Sequence, residues 1–315
     1  MKRRDFFARL AGGVAASGLA GRIAPLWASA PGQAAPASTA GKLARIAVST
    51  WSLHNYFQRT RDDDFKLPGK MLELLDFPEM IADRYKVHHL EFCAPHFAST
   101  EPSYLKELKD RLAKAGSYVV NMPVDIQEIW TGGGLSDTDQ KIRENAVSGG
   151  KKWIDIAATL GSQAVRCDPG KMNAQNLAPT IESYKALAAY GRSKGVHVIV
   201  ENHGGVGSEH PEELVNVFKG VKDSFFGALP DFANFPDEPT REKGLKLLFR
   251  YTRIVCHAKG LEFDASGKET KYDFPKAMQV AKASGFKGIY SIEFEGPGDP
   301  YEGVQRTLDE LLKYL

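Results

Sequence analysis

The sequence predicts an α/β fold, a single (β/α)8 barrel of the TIM type, on three observations. Short apolar runs alternate eight times with amphipathic helical patterns between Gly41 and Leu315. Several of those patterns stop at a glycine just before the next apolar run, the usual composition of a helix C-cap. No GxGxxG turn follows the first run, where a doubly wound nucleotide-binding sheet would carry one. Strands alternating with helices imply parallel βαβ units, and eight of them in roughly 275 residues is the size of a closed barrel.

In chain order, strands are expected at ARIAVST (44–50), VHHLEF (87–92), YVVNMP (118–123), AVRC (164–167), VHVIVE (196–201), FFGALPD (225–231), RIVCHAKG (253–260) and GIYSIEFEG (288–296). They are short and several are apolar throughout, as strands covered on both faces are. Between them, SYLKELKDRLAKAG, KKWIDIAATLG, ESYKALAAYGRSKG and DFPKAMQVAKASG read as helices closing on Gly116, Gly161, Gly195 and Gly285. The longer segments after the first and third strands, roughly 54–76 and 124–138, are candidate lids over one end of the barrel.

Residues 1–40 differ in character. MKRRDFFARLAGGVAASGLAG has a basic start followed by a short, mildly apolar Gly/Ala-rich stretch, and a tract of Ala, Pro, Ser and Gly follows it. That is the pattern of a cleaved export signal, too short and too weakly apolar for a membrane anchor. Arg3-Arg4 ahead of Asp5-Phe6-Phe7 resembles a twin-arginine signal, which implies a protein exported already folded to the periplasm. The chain therefore divides into residues 1–40, signal and spacer, and residues 41–315, one barrel domain. A net charge of +2 without a basic run argues against a nucleic-acid surface. Cys93, Cys167 and Cys256 are too few and too scattered for a disulfide framework and read as buried thiols.

In such a barrel the chemistry sits at the C-terminal ends of the strands. Strand five runs VIV into Glu201, Asn202 and His203; strand six ends at Asp231, with Asn234 beyond; strand seven carries His257 and Lys259; strand eight carries Glu293 and Glu295. Residues two apart on a strand share a face, so the pairs on strands five, seven and eight each point into the barrel together, where a packed core would want apolar groups. Glu201, Asp231, His257 and Glu293 make a hard, oxygen-rich donor set suited to one divalent ion, Mn²⁺ first, with Mg²⁺, Co²⁺ or Zn²⁺ as alternatives. The competing reading is a salt-bridge ring with Lys259 and Arg166.

These residues carry a resemblance. From about Ala44 to Leu315 the chain resembles the sugar phosphate isomerase/epimerase superfamily, the xylose-isomerase-like barrels that include ketose 3-epimerases, through VENHGG, PDFAN, HAKG and SIEFEG. The resemblance implies that Glu201, Asp231, His257 and Glu293 ligate the metal and that Glu201 and Glu293 also move protons. Two positions depart from the family pattern: Asn234 stands where relatives commonly have His, and Lys259-Gly260 where they tend to be acidic.

The expected activity is metal-dependent isomerisation or epimerisation of a non-phosphorylated keto-sugar, by removal of a proton next to a carbonyl and formation of a metal-stabilised enediolate. The alternatives are elimination from a 3-keto-glycoside, as a lyase, and a non-catalytic sugar-binding accessory protein. Lys259 is a candidate second proton donor. His203, Asn234, Arg166, Trp51 and Trp130 are candidate substrate contacts, with a partner role for Glu201 as the other reading of His203 and pairing with Asp168 the other reading of Arg166. The expected partner is a small carbohydrate, with no nucleic acid and no stable membrane insertion; a homo-oligomer is compatible with the reading. Changing Arg3 and Arg4 together to lysine keeps the charge but removes the pair the export pathway reads, so processed periplasmic protein should fall sharply; normal levels by fractionation would rule the signal out.

Overall fold

A computed structural model describes residues 38–66 and 68–315, so the expected signal, with Arg3 and Arg4, lies outside the described residues. Among these residues all eight expected strands form: β1 Ile46–Ser49, β2 His89–Glu91, β3 Tyr118–Pro123, β4 Ala164–Arg166, β5 His197–Glu201, β6 Phe226–Leu229, β7 Val255–Gly260 and β8 Ile289–Phe294. Every paired neighbour is parallel, in the order β6-β5-β4-β3-β2-β1-β8-β7. The remaining seam, between β6 and β7, is joined by one bridge from Asp231 to His257. The sixth expected strand stops early because Pro230 has no N–H to give to a ladder; Pro230 still accepts from the His257 N–H at 2.9 Å, which carries the seam.

Each strand is followed by a helix, numbered here α1 Phe77–Tyr85, α2 Pro102–Ala115, α3 Gln140–Leu160, α4 Ala178–Lys194, α5 Pro211–Val221, α6 Glu238–Leu248, α7 Phe274–Ala283 and α8 Pro300–Tyr314. A short helix, Thr39–Leu43, spans the expected start of the domain and is tied to α8 by Lys42 donating to the Leu312 carbonyl at 2.7 Å. The helix α3 begins eleven residues before its apolar pattern does, because Gly149 and Gly150 mask the signal. Gly150 is needed there for space: a Cβ would meet Leu187 Cδ2 at 2.9 Å, so α3 and α4 pack closely at that point.

The packing separates into two layers that define the site. The larger apolar cluster lies between the strands and the helices. A smaller one, Ala47, Val120, Ala164, Ile199, Leu229 and Val255, fills the lower barrel interior. Two residues further along β5 from Ile199, on the same inward face, comes Glu201, and the interior turns polar there. Glu91, Asn121, Arg166, Glu201, Asp231, His257, Lys259 and Glu293 are all buried in that upper layer.

Above it, the 124–138 segment is held onto the turn after β4. Ser136 donates to the Pro169 carbonyl at 2.7 Å and Lys171 N–H to the Gly133 carbonyl at 3.0 Å. Gly170 has φ +73°, and a Cβ on it would stand 2.2 Å from the Gly133 oxygen. Gly170→Ala should therefore destabilise this contact by roughly 1–3 kcal/mol, the scale of a non-glycine residue forced into that region; unchanged urea unfolding would show that the two segments do not depend on each other.

Candidate metal centre at the barrel mouth

The four expected ligands come together. One donor atom from each of Glu201, Asp231, His257 and Glu293 lies within 4.8 Å of the others, and all four residues are buried. The His257 Nδ1 atom is the hub: it is 3.2 Å from Glu201 Oε1, 3.4 Å from Glu293 Oε2 and 3.6 Å from Asp231 Oδ2. Three ionised carboxylates this close repel each other by roughly 3–4 kcal/mol per pair at an effective dielectric near 20, about 10 kcal/mol in all. That is on the order of a whole domain's stability, about 5–15 kcal/mol. Something positive has to sit among them.

Two fixed cations contribute from the rim. Lys259 Nζ is 2.9 Å from Glu293 Oε2, 2.9 Å from Glu295 Oε2 and 3.4 Å from Asp231 Oδ2. Arg166 Nε is 3.1 Å from Glu201 Oε2, and its other nitrogens donate to Asp125 at 2.8 and 3.3 Å. Seven carboxylates (Glu91, Asp125, Asp168, Glu201, Asp231, Glu293 and Glu295) thus face Arg166, Lys259 and two histidines, leaving an excess of negative charge. The hydrogen bonds point the same way: Glu201 Oε2 and Asp231 Oδ2 are buried and accept no well-formed hydrogen bond, touching the charged Arg166 Nε and Lys259 Nζ. Three buried carboxylates converging with an imidazole nitrogen could hold a divalent cation, and the residues fit the ion expected for them.

The salt-bridge ring with Lys259 and Arg166 is also present, touching all three donor carboxylates from outside. The charges follow from this packing. Burial pushes the Glu201 carboxyl up, but His257 and Arg166 outweigh it and hold it at about 2. Burial likewise raises Glu293, and His257 and Lys259 bring it well below the usual range. Burial lowers the Lys259 ammonium, yet Asp231, Glu293 and Glu295 hold it firmly charged. For His257, burial disfavours the cation, but Glu293, Glu91 and Glu201 raise it well above 6.5.

The positions of the other expected residues are equally specific. Asn234 donates from Nδ2 to Glu201 Oε1 at 3.1 Å, and its backbone N–H to Asp231 Oδ1 at 2.9 Å. Arg166 is buried on Asp125 and Glu201 rather than on Asp168. Asp168 instead holds His203 through Nδ1 at 3.0 Å. That bond, then Glu201, raises His203 to about 9. His203 is thus partnered by Asp168 rather than hydrogen-bonded to Glu201. Trp130 is 46% exposed and stands edge-on to His203, ring centroids 6.1 Å apart. Both line a cleft of about 270 Å³ that reaches Glu201. Trp51 is half-buried, stacked on His54, and donates from Nε1 to Glu295 Oε1 at 2.6 Å. His96, past β2, is buried between the hydroxyls of Thr50 and Thr60 against Phe57, and burial lowers it to about 3. His88 and His89 lie at the opposite end, with His88 Nδ1 on the Ala115 carbonyl. The three cysteines are buried free thiols.

Several residues of the site escape a reading of the sequence alone. Asp125 sits in the expected lid, and Asn202 is hidden between Glu201 and His203, where its side chain ties Asp231 N–H (2.8 Å) and the Asp231 carbonyl (3.1 Å) to β5. Glu91 is fully buried against His257. It is the last residue of β2, as Glu201 is the last of β5, so a strand closing on a carboxylate is the signal that marks it, though the two histidines of VHHLEF weaken it.

The family described as a xylose isomerase-like TIM barrel matches residues 81–314. No curated protein matches the chain. Among solved structures it is similar to a xylose isomerase-like TIM barrel protein from Mycobacterium smegmatis in complex with magnesium (15% identity, 85% of this chain and 95% of that one, TM-score 0.60). It is similar to a D-psicose 3-epimerase with D-tagatose from Clostridium cellulolyticum H10 (13% identity, 86% and 99%, TM-score 0.64). It is also similar to a 3-keto-D-glucoside 4-epimerase from E. coli (13% identity, 85% and 99%, TM-score 0.60). At these identities the likeness is one of fold.

Because His257 holds a proton in the ion-free set, an incoming ion must displace it. Affinity for Mn²⁺ should therefore rise with pH through the neutral range, with proton release visible by calorimetry in buffers of different ionisation enthalpy; a pH-independent affinity would contradict this. Asp231→Ala removes both a ligand and the backbone tie through Oδ1, and full metal occupancy in that variant would show the ligand set to be wrong.

Proposed function

The chain belongs to the xylose isomerase-like TIM barrel family, and from that premise we propose that it is a divalent-metal-dependent isomerase or epimerase of a non-phosphorylated keto-sugar. The carrying observation is the convergence of one donor atom from each of Glu201, Asp231, His257 and Glu293 within 4.8 Å of the others in a buried layer that holds more carboxylates than cations. Glu201, Asp231, His257 and Glu293 would hold the ion, whose positive charge would make the C–H next to the sugar's carbonyl more acidic. Similarity to a magnesium complex supports a hard ion, and Mn²⁺ remains the first expectation on the oxygen-rich donor set.

The chain's own groups divide the remaining work. Glu201 and Glu293 are both kept ionised, as a proton acceptor must be, by His257 together with Arg166 at Glu201 and Lys259 at Glu293. Removal of the proton by one carboxylate and its return from the other's side inverts a carbon; removal and return from one side moves the carbonyl. The Lys259 ammonium, anchored by Glu295, is a proton donor beside Glu293. Trp130 and His203 offer an aromatic face and a polar edge to a sugar in the 270 Å³ cleft. The two cations lining that cleft, Lys171 and the His203 held by Asp168, face the carboxylates of Asp168 and Glu201, a balance that suits a neutral sugar better than a phosphate ester.

A second reading is favoured by one observation, the charged Lys259 within reach of the same carboxylates. If that ammonium protonates a leaving oxygen, proton abstraction from a 3-keto-glycoside ends in elimination and the enzyme is a lyase. Similarity to a 3-keto-glucoside epimerase supports testing that substrate class. Export by the Arg3-Arg4 signal, placing the reaction in the periplasm, is part of the proposal.

In D₂O, with Mn²⁺ present, the protein should place deuterium on the carbon next to the carbonyl of a keto-sugar or 3-keto-glycoside, with the fate of the aglycone separating epimerase from lyase. Glu201→Gln and Glu293→Gln should each lower turnover by about 10²-fold or more, the usual scale for losing a general base. Absence of exchange with any keto-sugar would reject proton abstraction and leave a sugar-binding accessory role.

A further inference from the structure

We propose that Glu91 is a positioning residue that holds the His257 imidazole in one tautomer and orientation, so that Nδ1 faces the ion; the inference rests on the metal-site reading above. Glu91 is neither one of the four donors nor part of the cleft. It is fully buried, on the far side of the His257 ring from the other carboxylates. Its two oxygens are 3.0 and 3.1 Å from His257 Nε2. A carboxylate only accepts, so Nε2 carries a proton and donates it to Glu91. The Nδ1 atom is then directed at Glu201, Asp231 and Glu293 at 3.2–3.6 Å. With Nε2 committed, the ring can offer Nδ1 alone to an ion.

The backbone is arranged to make this contact. In the β2–β3 ladder Leu90 pairs with Val119 but Glu91 pairs with Asn121, so Val120 is an extra residue on β3. Without that bulge, Asn121 would alternate away from the interior position that Val120 fills. With it, Met122 packs outward among the helix-facing residues and Asn121 turns inward. There Asn121 Nδ2 donates to Glu91 Oε2 at 2.8 Å. Bulges re-aim single side chains in this way beside active sites. The contact is costly without a purpose: it buries another carboxylate next to three existing ones, where an apolar side chain of similar volume would fill the space. A carboxylate behind a ligating histidine fixes the ring and strengthens it as a ligand, and loss of such a partner typically weakens metal binding by 10–100-fold.

The test compares wild type with Glu91→Gln, which keeps the shape, and Asn121→Ala, which leaves Glu91 in place but without its second partner. Co²⁺ and Zn²⁺ affinities are measured by chelator competition, and ring nitrogen shifts of ¹⁵N-histidine-labelled protein report the His257 tautomer with Zn²⁺ bound. The expected results are a wild-type His257 protonated at Nε2 and shifted by zinc at Nδ1, affinity about 10–100-fold weaker in Glu91→Gln, and a smaller loss in Asn121→Ala. Circular dichroism should be unchanged. Wild-type binding with Glu91→Gln within twofold of it, or zinc on Nε2, overturns the positioning role alone. If wild type takes up neither ion, the metal reading falls, and this inference with it.

Discussion

Three buried carboxylates around one imidazole nitrogen are the constraint on which the upper half of this barrel depends. Their mutual repulsion is comparable to the stability of a domain, so the rest of the layer is built to offset it. The same residues sit where the barrel closes. The β6–β7 seam is a single bridge between Asp231 and His257, reinforced by the His257 N–H on the Pro230 carbonyl and the Phe232 N–H on the His257 carbonyl. Asn202 clamps Asp231 from the other side. Two residues of the donor cluster are therefore also the two ends of the seam.

Around that centre the charges are layered. Arg166 and Lys259 each touch a donor carboxylate and are each anchored outward by another acid, Asp125 or Glu295. The chain continues to the surface on one side, where Trp51 donates to Glu295. An indole, a carboxylate and an ammonium thus link the wall after β1 to Glu293. On the other side, Asp168 holds His203 beside Trp130. The two tryptophans differ in consequence: Trp51 is tied into the charge network, whereas Trp130 is free to meet a ligand.

Much of this was legible in the sequence for a physical reason. A strand buried on both faces is an apolar run, and the point where a carboxylate interrupts it marks where the barrel wall ends at something charged; VIVE and SIEFE announce the site by that break. Glycine at a positive-φ helix end announces the helix just as directly. What was not legible was pairing across long stretches of chain. Nothing local says that Arg166 reaches back to Asp125 rather than to Asp168 two residues on, or that Glu91 meets His257 from the opposite side of the ring. A bulge at Val120 leaves no clear local signature, yet it decides which way Asn121 points. Gly149 and Gly150 hid half of α3 because their value is close packing, which composition does not reveal.

The proposed centre of the site is one ion held by Glu201, Asp231, Glu293 and Nδ1 of His257. A crystal structure of the protein grown with Mn²⁺, with data collected at the manganese absorption edge, tests that most directly. The expected result is a single anomalous peak bonded to those four residues, with Glu91 still on Nε2. A map without a peak there, or with Lys259 Nζ in the ion's place among the carboxylates, would contradict it.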